Sequence, residues 1–128
     1  MADGELAVSD MDNHRIRRVT LAGVVTDLAG SGNLGNLDGP VAVASFDAPQ
    51  ALALAASGAL YVTDIRRHFV RRVFNGQVAT VAGDGSRGWL DSDVPRNAKF
   101  GGLEGMDADG SRLVIADGNR AAAARRAA

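Results

Sequence analysis

Residues whose type and spacing could do chemistry are few. Asp10, Asp64 and Asp117 recur at intervals of 54 and 53 residues, each closing a short β-prone run: Val8-Ser9-Asp10, Val62-Thr63-Asp64 and Ile115-Ala116-Asp117. A ring of carboxylates could hold a metal. An aspartate at the end of a strand is equally suited to accept backbone N–H bonds at the exit turn, and its return in every repeat favours that structural role. His14 and His68 recur 54 residues apart, but zinc needs three or four convergent ligands, and the chain has neither a third histidine nor any cysteine. Arg17-Arg18 and Arg71-Arg72, with Arg15, Arg66 and Arg67 nearby, form the strongest lead to a binding surface. Paired arginines suit phosphates, although the chain lacks the interleaved aromatics of a stacking surface for RNA. Trp89 is a candidate anchor for a protein partner. The glycine-rich stretches 30–35 and 83–88 lack the Lys-Ser/Thr of a phosphate loop and are expected to be flexible connections. No catalytic residue, cofactor or metal is assigned.

The whole-chain numbers narrow the classes further. Fourteen Lys+Arg against fifteen Asp+Glu give 128 residues a net charge of −1, which suits neither a nucleic-acid clamp nor a membrane-surface binder. Absence of cysteine excludes disulfides and thiolate catalysis. Asp3 and Glu5 stand where a signal peptide carries basic residues, and no apolar run reaches the roughly 20 residues of a membrane span.

These residues sit in an internal repeat. Besides the aspartates and histidines, Leu28-Ala29-Gly30-Ser31-Gly32 returns as Val81-Ala82-Gly83-Asp84-Gly85, Gly35-Asn36-Leu37-Asp38 as Gly88-Trp89-Leu90-Asp91, and Ser45-Phe46 as Lys99-Phe100. Within one unit, the apolar run 50–56 ends at Ser57-Gly58. Leu60–Asp64 is rich in strand formers. Phe69–Phe74 and Gln77–Ala82 flank Asn75-Gly76, the dipeptide of a two-residue hairpin with positive φ at Gly76 at least. Four short antiparallel strands are followed by a long connection over 83–98. Val70 and Val73 fall on opposite faces, so the sheet is expected to pack on both sides.

The order of apolar strand, Gly, Leu-Tyr-Val-Thr-Asp, His-x-Val-Arg-Arg-Val, Asn-Gly and Val-Ala-Thr-Val-Ala-Gly-Asp-Gly resembles the NHL repeat, whose units are four-stranded blades of β-propellers. Asn13-His14-Arg15-Ile16 matches its signature; Arg67-His68-Phe69-Val70 departs from it, and the third copy keeps only Asn119-Arg120. The resemblance implies an all-β, partial β-propeller of four-stranded antiparallel NHL-like blades over 1–120: a partial blade at 5–30, a full blade at 46–83 and a partial blade at 100–118. An Ala/Arg-rich, low-complexity tail follows at 121–128. Some NHL domains bind RNA through a basic face, and some NHL-type propellers are lyases or hydrolases with a metal in the channel. Here the inner strands offer Gln50, Glu104 and Asp107 but no histidine.

Such propellers close with about six blades, on the order of 320 residues at this period. Two exposed blade faces and open ladders are therefore expected to meet other protein chains or further blades, making the native form something other than a free monomer. The resulting expectation is a non-catalytic interaction or scaffold module within a larger assembly. An RNA-binding arginine surface stands second, and a piece of a propeller lyase or hydrolase third.

Overall fold

The computed structural model describes residues 4–110, 112–118 and 124–127. Asn119 and Arg120, read above as the last trace of the third copy, and residues 121–123 and 128 of the tail lie outside the described residues.

Three antiparallel sheets follow one another along the chain. The first holds β1 (Leu6–Asp10), β2 (Arg15–Val19) and β3 (Val25–Ala29). The second runs in the order β4 (Gly39–Pro40), β8 (Gln77–Ala82), β7 (Phe69–Phe74), β6 (Leu60–Asp64), β5 (Pro49–Leu54). The third holds β9 (Leu103–Asp109), β10 (Arg112–Asp117) and β11 (Ala124–Ala127). Met11–Asn13 and Pro95–Asn97 are single 3-10 turns. Among the described residues no helix is long and apolar enough to cross a membrane.

Each sheet packs by the faces of its strands. Leu60, Val62, Val73 and Val78 of the second sheet meet Ile16, Ala29, Ala44 and Phe46 in one buried cluster. On its other face Ala53, Val70 and Ala82 meet Phe100, Leu103, Leu113 and Ile115 in another. Val70 and Val73 thus enter different cores, and the second sheet has no wet face. Small side chains (Ala29, Ala44, Ala53, Ala82) let adjacent sheets approach while the β-branched residues fill the space between.

The connections are more than links. The stretch 30–35, expected to be flexible, is tied down: Gly30 N–H donates to Val41 O at 2.9 Å and Ser31 N–H to Ala44 O at 2.8 Å, and further along the same connection β4 pairs with β8 as a fifth strand of the following blade. Gly83 and Asp84 repeat the pattern with Pro95 O and Ala98 O, at 2.9 and 3.0 Å. The glycine-rich sequence is held because its N–H groups bond to carbonyls further along the same connection, which is itself fastened to the next blade's outer edge through β4 and the Val41 N–H on Gly76 O.

The tail also departs from the expected boundary. Ala124–Ala127 is a strand, pairing antiparallel with β10 and setting Arg125 opposite Ile115 and Arg126 opposite Val114. The third blade therefore continues past residue 118. Alanine-rich composition favours helix on propensity, but a partner ladder on β10 overrides it.

Candidate functional site

The recurrent arginines occupy one register position per blade. Arg17 lies opposite Val8, Arg71 opposite Val62 and Arg125 opposite Ile115. In the first two blades a β-bulge falls immediately before the arginine, between Ile16 and Arg17 and between Val70 and Arg71. A bulge adds a residue to one strand and re-aims the neighbouring side chain. Here it sets Arg17 opposite Asp27 and Arg71 opposite Thr80.

Arg71 is the largest fully buried side chain, which corrects its place among candidate surface residues. The preceding connection covers it. Its Nη1 donates to Ser45 O at 2.9 Å and Asp64 Oδ2 at 3.4 Å; its Nη2 donates to Leu37 O at 3.0 Å and Asp38 Oδ1 at 2.7 Å. The guanidinium lies 5.0 Å from the Phe46 ring centroid. Asp38 is fixed in turn by Thr80, whose N–H and hydroxyl donate to it at 3.0 and 2.9 Å. A buried guanidinium is tolerable because several oxygens satisfy its donors.

Arg17 answers the same need differently. It pairs with Asp10 at 3.2 Å, as Arg71 does with Asp64, but its second carboxylate is Asp27 of its own blade, 2.8 Å from Nε. Arg18 pairs with Glu5 at 3.5 Å. Arg72, opposite Tyr61 and Ala79, is half-buried. Arg66 and Arg67 converge on the buried Asp47, at 3.7 and 2.8 Å. The structure therefore breaks the basic cluster into separate ion pairs. Trp89 is 53% exposed on the connection between β8 and β9.

The recurrent aspartates serve the strand before them in the sheet. Asp64 accepts the Asp47 N–H with both oxygens, at 3.1 and 3.0 Å. Asp117 accepts the N–H groups of Gly101 and Gly102, the nearest at 2.8 Å. Both therefore anchor the start of the inner strand, and not their own exit turn as the sequence suggested. Asp10 accepts the Asn13 amide at 3.0 Å and Arg17. Burial pushes the Asp64 carboxyl up to about 6, against the opposing pull of the Asp47 N–H and Arg71. Asp84 moves the other way: the hydrogen bond from Lys99, with those from Ser86, holds its carboxyl far below the usual range.

His14, between β1 and β2, and His68, between β6 and β7, take φ of 57° and 58°. The His68 carbonyl presses on Gly83 and the His14 carbonyl on Gly30, so closely that a Cβ at either glycine would collide with it. Burial, then the nearby Arg87, lowers the His68 pKa from its usual value. Asn75 and Gly76 have φ of 51° and 72°, both positive, in the β7–β8 hairpin. Gln50, Glu104 and Asp107 are exposed on β5 and β9. Among the described residues, no three of His, Cys, Asp and Glu gather as a metal set.

Asp38, Asp27 and Asp47 were missed as functional positions. Asp38 had a signal in the sequence, since Leu-Asp returns as Leu90-Asp91 one repeat on. The exposed blade face expected for the partial blade at 5–30 is present on the first sheet. Leu6 and Val8 are 61% and 42% exposed, whereas their repeat equivalents Leu60 and Val62 are 5% and 0% exposed.

Twisted antiparallel sheets stacked face on face, with each connection capping the next sheet, are blades of a β-propeller, of which the described residues form part. No protein-family profile matches the chain. It is 34% identical over 85 residues to NHL repeat-containing protein 2 of Bos taurus, covering 65% of this chain and 12% of that protein. It is 36% identical over 72 residues to protein SUPPRESSOR OF QUENCHING 1, chloroplastic, of Arabidopsis thaliana, covering 56% of this chain and 7% of that protein. A Bacteroides thetaiotaomicron crystal structure, of a protein of unknown function, superposes with a TM-score of 0.84 at 25% identity, covering 90% of this chain and 30% of that one. The chain thus spans only a small part of the length of these relatives, and its repeats are similar to those of NHL repeat-containing proteins.

Proposed function

We propose that this segment is a non-catalytic interaction module that works by stacking blade on blade. The contrast between Leu6 and Val8 and their buried equivalents Leu60 and Val62 carries the reading. The first sheet presents, to solvent, the face that the second sheet buries against its neighbour. Val25, at the position of Val78, extends that face and is 51% exposed. A contiguous apolar face of this kind marks an association site. Its natural occupant is another blade of the same type, from a longer chain or from a partner. The RNA reading loses support because Arg71 is buried and Arg17 and Arg18 are held by Asp10, Asp27 and Glu5.

Size-exclusion chromatography with light scattering on the 128-residue chain tests the proposal. Concentration-dependent association is expected, and Leu6→Asp with Val8→Asp is expected to abolish it. A 13 kDa monomer at all concentrations, with the Leu6–Asp10 amides protected from exchange, would overturn it. So would stoichiometric zinc or calcium in the purified protein, which would favour catalysis.

A further inference from the structure

We infer that Asp27 decides which blade connection the exposed face of the first blade accepts: one with a neutral hydrogen-bonding side chain, and not a carboxylate, at the place of Asp38. This rests on the blade-stacking reading above and adds the partner's chemistry.

The second blade shows the same face already occupied. Its arginine, Arg71, is covered by residues 37–46, which contribute the carbonyls of Leu37 and Ser45, the Asp38 carboxylate and the Phe46 ring. Directly across the strand stands Thr80, a hydrogen-bond donor that receives Asp38 through both its N–H and its hydroxyl. The first blade keeps every fixed part of this receptor. It has the bulge before Arg17, the Asp10 partner, and Leu6 and Val8 where Leu60 and Val62 stand. One position differs. Across the strand from Arg17 stands Asp27, whose carboxylate lies 2.8 Å from the guanidinium and also 3.6 Å from Arg15.

An incoming connection with aspartate at the Asp38 position would put its carboxylate where Asp27 already sits. Two negative charges would share one guanidinium, and the hydroxyl donor that seats Asp38 would be absent. Like-charge juxtaposition in a closing interface rejects a wrong partner more strongly than a matched pair attracts the right one. An asparagine instead donates its amide to Asp27 and keeps its oxygen for the arginine. Aspartate built into the receiving blade therefore replaces the one that the connection brings elsewhere, and it makes the two apolar faces chemically distinct.

Synthetic peptides of residues 34–47, one with Asp38 and one with Asp38→Asn, are titrated into the full 128-residue chain by calorimetry and amide NMR. The chain is expected to bind the Asn peptide about tenfold more tightly than the Asp peptide, with shifts at Arg17 and Val8. In the Asp27→Thr chain, which copies Thr80, the order is expected to reverse. Asp27→Asn, with no change in side-chain shape, is expected to erase the preference. Equal binding of both peptides by all three proteins would overturn the role of Asp27 while leaving the docking face standing. No binding of either peptide to any of them would overturn the docking of connections on this face, and the inference with it.

Discussion

Arg71 and Asp38 lie 33 residues apart in the chain and 2.7 Å apart in space, one at the centre of a blade and the other on the connection that reaches it from the blade before. Asp38 is 46% exposed on its side chain while Arg71 is fully covered, so the carboxylate sits at the rim and the cation below it. The pair makes the connection a structural part of the sheet it precedes.

Removing the cation is expected to cost more than removing its rim partner. Arg71→Ala takes the guanidinium from Asp64, which keeps the Asp47 N–H, and from the carbonyls of Leu37 and Ser45, and should destabilise by about 3–5 kcal/mol. Asp38→Ala, with solvent able to reach the gap, should cost about 1–3 kcal/mol. Urea unfolding of both variants checks the order, and equal losses would mean that the connection does not hold Arg71.

Glycines at turns that look alike in sequence are expected to differ. Gly83 has φ of 94° and its missing Cβ would strike the His68 carbonyl, whereas Gly76, at φ 72°, faces open space. Gly83→Ala should therefore cost about 3 kcal/mol or more, combining strain with overlap. Gly76→Ala should cost about 1 kcal/mol from backbone conformation alone, and Gly76→Val about 1–3 kcal/mol. Thermal melts of the three variants distinguish the two causes.

Much of this geometry could be read in advance. Leu60–Asp64, Phe69–Phe74 and Gln77–Ala82 are strands at the bounds their β-branched and aromatic content and the Asn75-Gly76 turn imply. Burial of Arg71 could not be read, because its partners at positions 37, 38, 45 and 46 lie far along the chain and an arginine looks the same whether solvated or covered. Strand β11 was hidden for another reason. Its alanines speak for helix, and only the 54-residue step from Arg71-Arg72 to Arg125-Arg126 carried the repeat onward.

Asp64 is expected to make the fold respond to mild acid. Its carboxyl, raised by burial from 3.8 to about 6, binds a proton more tightly when folded than when unfolded. Its contribution is therefore most favourable below about pH 4 and is lost as pH rises through about 6. Asp84, held down chiefly by Lys99, opposes this, since its contribution is present above the ordinary carboxylate range and lost in acid. Carbonyl NMR of Asp64 should titrate near 6; a midpoint below 4 would show that Arg71 and the Asp47 N–H outweigh burial.

For single-stranded RNA, gel shifts at physiological salt are expected to show no complex, and Arg17→Ala with Arg18→Ala no change. A complex whose affinity falls steeply with salt, and less steeply in that variant, would restore the RNA reading.

Because β4 hydrogen-bonds to β8 while its chain leaves β3, the covalent seam between the first two blades lies inside the second. Neighbouring units of such an array cannot melt independently. Peeling the first blade away strips Asp38 and Ser45 from Arg71 in the same motion as it opens the shared apolar core, so the interfacial coupling of a one-dimensional repeat lattice passes here through Arg71 as well as through that core. Amides of β7 and β8 should then exchange with solvent at the opening rate of the first blade, and a cut in residues 37–46 should loosen the blade that follows it more than the blade from which it came.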